Sequence, residues 1–124
     1  MACIVSNLSA SMGGLTWLIV DYIQLPDKKW STIGWCSGAV AGLVAITPAA
    51  GFVPAWSAII FGIAAGFFCN NATRLKYQLH IDEHLDIFAI HAVGGIVGNL
   101  LTYEHPSLYA NLLEEYSLPI TSLR

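Results

Sequence analysis

Charge is what this sequence has least of. Only 10% of its 124 residues are Asp, Glu, Lys or Arg, against about a quarter in a soluble domain, so water-facing surface is in short supply. No basic excess exists either. Five Lys and Arg against eight Asp and Glu leave a net charge of −3, which excludes the phosphate-neutralising stripe of a nucleic-acid binder. The cysteines Cys3, Cys36 and Cys69 are isolated, without CxxC or Cys/His ligand spacing, and read as small buried hydrophobes. A basic n-region is missing ahead of the first apolar run, and that run exceeds a signal-peptide core, so no cleavable targeting segment is expected. Internal repeats and low-complexity tracts are absent. No nucleophile, base and oxyanion set can be assembled, so neither an enzyme nor a cofactor is expected.

What is there is apolar: 56% of the chain is hydrophobic and its mean hydropathy is +0.62. It falls into four runs near the length an apolar helix needs to cross hydrocarbon, about 20 residues. Residues 2–22 carry Ser6, Ser9, Ala10, Gly13 and Gly14 at helical spacing, a small-residue stripe for close helix contact. Residues 30–50 hold Gly38 and Gly42 and reach Thr47-Pro48, where the proline should end or kink a helix. Thr47 can bond a carbonyl freed there, a structural role. Residues 55–72 hold a second GxxxG, Gly62 and Gly66, and residues 85–102 form the shortest run. The expected fold is therefore all-α: a polytopic transmembrane bundle of four spans in one region, 2–102, followed by a divergent polar tail, 103–124.

Polar breaks at Gln24–Lys29 and Arg74–Glu83 separate the runs. Lys28, Lys29, Arg74 and Lys76 all lie in the first and third connections and none lies in the second. With antiparallel spans those connections share one side, and the positive-inside tendency makes 23–29 and 73–84 cytosolic. His80 and His84 are four apart, but His-Ile-Asp-Glu-His is not the HExxH order and lies in a connection, so no metal is expected.

The fourth run places His91 in an apolar helix. At 3.6 residues per turn, 91, 94, 95 and 98 share a face, so His91 is expected beside Gly94, Gly95 and Gly98 on the close-packed side. An ionisable group at that depth looks into a bundle or a wet cavity and is a functional candidate by default. Asp86, in the first turn, suits a helix N-terminus as a cap or loop anchor.

Two long stretches, Gly38 to Gly51 (GAVAGLVAITPAAG) and Leu85 to Gly95 (LDIFAIHAVGG), carry a resemblance to the ammonium transporter (Amt/Mep/Rh) family, above all its fungal permeases, extending over roughly Asn7–Thr102. The resemblance implies an eleven-span fold, of which this chain looks like spans seven to ten. It also implies a homotrimer in the bilayer and conduction of ammonium, as ammonia after deprotonation, through a narrow hydrophobic pore in each subunit. His91 matches the second of the family's two facing pore histidines. The first, and the aromatic gate and outer cation site built largely from earlier spans, have no counterpart here. Ala92 stands where many members have glycine, and Tyr103-Glu104-His105-Pro106 departs from the family's continuation. By this reading the polypeptide alone lacks the second pore wall and does not transport. The alternative is a non-transporting membrane subunit or regulator that associates with a full-length permease.

Overall fold

Inside hydrocarbon a backbone must satisfy its own hydrogen bonds, so uncharged runs of this length become helices. The computed structural model describes residues 2–26, 30–79 and 86–103. Helix α1 is Ala2–Gln24, α2 is Thr32–Ile46 and α3 is Ala55–Gln78. A fourth helical segment starts at Ile87, passes through a π-helical turn at Ala89–Val93 and continues as α4, Gly94–Tyr103. Helix α1 packs on both α2 and α3, and the fourth segment lies against α2 and α3.

Small residues make those contacts possible. A Cβ on Gly38 would stand 2.6 Å from the Gly13 carbonyl oxygen, and one on Gly42 would strike the Ser9 carbonyl. Opposite, a Cβ on Gly66 would lie 2.7 Å from the Gly13 carbonyl. Two neighbours thus approach the backbone of α1 at the same level, the geometry of small-residue membrane packing. The Ser9 hydroxyl, buried there, donates to the Gly42 carbonyl at 2.9 Å. Val5, Trp17, Ala45, Ile46 and Phe61 fill the core around this seam.

Much of the outside is apolar, and Cys3 and Cys36, expected to be buried, are exposed, leaving Cys69 as the buried cysteine. Ile4, Ile33, Phe68, Leu75, Ile96 and Leu100 are all exposed, an arrangement that fits hydrocarbon or further helices and not water. Two helical stretches, Ala2–Gln24 and Ala55–Lys76, are long and apolar enough to cross a membrane, while Thr32–Ile46 and Ala89–Tyr103 are shorter apolar helices.

All four segments depart from the runs, α1 by two residues at its end and the other three by more. Helix α2 starts after Ser31, whose hydroxyl accepts from the Gly34 amide at 3.1 Å, and it ends at Ile46 in a turn that holds Pro48. Helix α3 does not stop at residue 72. It runs on to Gln78, so Arg74 and Lys76 belong to its last turns rather than to a connection, because each finds an acidic partner on a neighbouring helix end. The fourth run is not a plain α-helix, since it contains the π turn. Lys28, Lys29, His80, His84 and residues 104–124, which also carry expectations from the sequence, lie outside the described residues.

Candidate functional site

The π turn decides where His91 stands. An i→i+5 turn inserts one residue into the helical register, which separates the face before it from the face after it. Gly94 and Gly98 are buried: an added Cβ at Gly94 would lie 3.3 Å from Val44 Cγ1, and one at Gly98 would collide with the Ala45 carbonyl. Gly95 meets nothing within 4 Å. His91 is exposed. The close-packed face expected to unite His91 with Gly94, Gly95 and Gly98 is therefore split, with Gly94 and Gly98 against α2 and His91 on a flank the described residues leave open. Nδ1 of His91 lies 3.2 Å from the Ile87 carbonyl oxygen. A carbonyl can only accept, so this bond requires a proton on Nδ1, and in the neutral ring Nε2 is then the acceptor.

Asp86 opens the segment. Its carbonyl accepts the Ile90 amide at 3.0 Å, and its Oδ1 takes the Lys76 ammonium at 2.6 Å. Its φ of 52° is the one positive value among the described non-glycine residues. Thr47 turns its hydroxyl back to the Leu43 carbonyl, near the end of α2, at 2.8 Å.

The charged residues gather at one end. Among the described residues only Asp21, Arg74, Lys76 and Asp86 are charged, and they form two ion pairs there. Asp21 Oδ1 receives Asn70 Nδ2 at 2.7 Å and an Arg74 guanidinium nitrogen at 3.2 Å, while Arg74 Nε donates to Asn70 Oδ1 at 3.1 Å. A cavity of about 370 Å³ opens between α1, α2 and α3 at this end, with Trp17, Asp21, Ser37, Thr73, Arg74 and Asp86 in its walls. The Thr73 hydroxyl is buried without a protein partner. His91 is not in that lining. Sequence reasoning placed Arg74 and Lys76 in a loop and missed both networks; the Asn70/Arg74 spacing of four and the Cys69/Lys76 spacing of seven fit one face of a continuing helix but name no partner on another helix.

These features define a polytopic α-helical membrane protein: apolar faces outward, backbone satisfied within helices, charges paired at one end. Residues 1–117 match the Ammonium Transporter Family model, and the chain belongs to that family. It is 52% identical over 106 residues to ammonium transporter MEP2 of Saccharomyces cerevisiae, covering 86% of this chain and 21% of that protein. It is 41% identical to ammonium transporter Amt1 of Archaeoglobus fulgidus, covering 90% of this chain and 29% of that protein. The crystal structure of Candida albicans Mep2 superposes with a TM-score of 0.76 at 53% identity, over 82% of this chain and 22% of that one. The chain thus spans roughly a fifth to a third of the length of these relatives.

Proposed function

We propose that this chain supplies one wall of an ammonium-conducting path and that His91 is the group on that wall that meets the passing substrate. The observation that carries the reading is the flank itself: an imidazole midway along an apolar helical segment, exposed, with Nδ1 engaged by Ile87 and, in the neutral ring, Nε2 left as the acceptor. Moving a bare ammonium ion past low-dielectric walls would cost several kcal/mol even after relaxation. A dry path therefore favours ammonia, with the proton shed and handled separately. An imidazole, which can accept or donate a hydrogen bond, suits either traveller; a leucine would serve neither.

Four helical segments do not enclose a path. The open flank beside His91 needs a second wall, which in the full assembly comes from the preceding spans of a subunit in a homotrimer. Asp86, Thr47 and Gly94 serve structurally around the path, and Gly95, with nothing within 4 Å, is where the absent wall would pack. The charged end faces the cytosol by the positive-inside tendency: in the sequence Lys28 and Lys29 follow α1, and Arg74 and Lys76 lie in the last turns of α3.

The test is a chimera in which this chain replaces the matched stretch of Saccharomyces cerevisiae MEP2, expressed in yeast lacking its own ammonium uptake. Ammonium-dependent growth is expected. His91→Ala should lower uptake at least about tenfold, the value of one hydrogen bond to a charged or strongly polar partner, with membrane abundance unchanged. Uptake at the parental rate would make the imidazole a packing group.

A further inference from the structure

The geometry points to Lys76 as a positioning residue for His91: with Cys69 it forms a two-point clamp by which α3 holds the π-helical turn and so sets the direction of the imidazole. This rests on the conduction role proposed for His91.

Two departures from regular backbone lie within eight residues of each other. Asp86 is left-handed at φ 52°, a conformation unfavourable for any residue with a Cβ. The π turn follows at Ala89–Val93; such turns are rare and persist where surroundings hold them, often at functional sites. Both are gripped by the same face of α3. Lys76, 4% exposed, reaches Asp86 Oδ1 at 2.6 Å, and the Cys69 thiol donates to the Ile90 carbonyl, inside the turn, at 3.8 Å. Residues seven apart on a helix point the same way, so one edge of α3 meets the start and the interior of the irregular stretch. Between those points Ala72 and Lys76 of α3 border a small apolar pocket with Phe88, Ala89 and Val93.

The His91 ring bonds to its own helix, at the Ile87 carbonyl. Its direction therefore follows the turn, and the turn follows the clamp. Losing the inserted residue would rotate position 91 by about 100° relative to Gly94 and Gly98, the angle of one residue in an α-helix. In a narrow passage that takes the ring off the path.

The clamp is tested in the chimera by ammonium uptake kinetics. Lys76→Met, which keeps the stem and removes the charge, should cut maximal uptake at least about tenfold, since small misplacements of a reacting group cost that much or more, with KM within about twofold and membrane abundance unchanged. Lys76→Arg should return most of the rate. Asp86→Asn, which still tolerates a left-handed backbone, should match Lys76→Met, and the double variant should be no worse than either, the mark of one shared interaction. Asn71→Ala, on the neighbouring face, should change nothing. Parental rates in Lys76→Met, or multiplicative losses in the double variant, would overturn the clamp. If the parent chimera inserts but takes up no ammonium, the conduction role falls. The clamp is then decided in the purified chain by hydrogen exchange: amides of Ile90 to Val93 exchanging at least about tenfold faster in Lys76→Met, with α1 amides unchanged, support it, and unchanged protection refutes it. Should Lys76→Met fail to fold, Cys69→Ala must speed the same amides; no change there refutes the clamp as well.

Discussion

The two halves of helix α3 meet their neighbours by different physics. In the first half, Gly62 and Gly66 press on α1 at the level of Ser9 and Gly13, and what holds the helices together is the absence of side chains. In the second half, Asn70, Arg74 and Lys76 reach across to Asp21 and Asp86, and what holds the helices is long polar side chains. The difference follows depth. Deep in hydrocarbon there is no hydrophobic drive between apolar helices, so contact comes from shape; nearer the water, charges can be paired without the full cost of burial. A steric seam is intolerant of any added atom, whereas a charged edge tolerates volume and answers to partner loss and salt.

The sharpest break of that comparison is Gly42→Val. Its first added carbon would strike the Ser9 carbonyl oxygen and sit 2.9 Å from the Ser9 carbonyl carbon, both backbone atoms that cannot swing aside. Helices α1 and α2 must separate, at a cost of about 3 kcal/mol or more, read as a lowered unfolding midpoint in detergent micelles. Gly51→Ala, in the open turn with nothing within 4 Å, should stay within about 0.5 kcal/mol of the parent. Equal effects at the two positions would mean that the seam is not the determinant.

The steric seam was legible in the sequence and the charged edge was not, for the same reason. Small residues at helical spacing announce a contact wherever they fall, so the positions of Ser9, Gly13, Gly38, Gly42, Gly62 and Gly66 along the chain are enough to mark the packing of three helices. Arg74 and Lys76 look like loop residues because hydropathy windows end a membrane helix at its first charges; nothing local reveals that Asp21, 53 residues away in sequence from Arg74, supplies the partner. His91 was legible as an ionisable group in an apolar helix, yet its face was not. Periodicity assumes a constant 3.6 residues per turn, and the inserted residue of the π turn breaks that assumption between His91 and Gly94. The turn depends on Cys69 and Lys76 of another helix, so no count along the fourth run could have found it.

Asp21→Ala sharpens the other side. The carboxylate is the acceptor for Asn70 at 2.7 Å and Arg74 at 3.2 Å, so its loss strands two donors. Arg74 is a third exposed and water can reach it, which limits the cost to about 1 kcal/mol. Unlike Gly42→Val, this loss should shrink as salt rises from low to high concentration, because part of the parent's advantage is a screened ion pair. A loss independent of salt would assign the stabilisation to the Asn70 hydrogen bond alone.

The smallest effect separates shape from hydrogen bonding within the seam itself. Ser9→Ala keeps the small volume that lets α2 approach and deletes only the hydroxyl that donates to the Gly42 carbonyl at 2.9 Å. Inter-helix bonds of this kind in membranes average about 0.6 kcal/mol, because the separated helices find other partners. The removed group is also the buried donor, and Gly42 lies inside α2 where its carbonyl can keep a helical bond, so no orphan remains. The expected midpoint shift is thus several times smaller than for Gly42→Val at the same contact, in the same micelles. If Ser9→Ala instead costs as much as Gly42→Val, the seam is held by that hydrogen bond, and the glycines serve only to admit it.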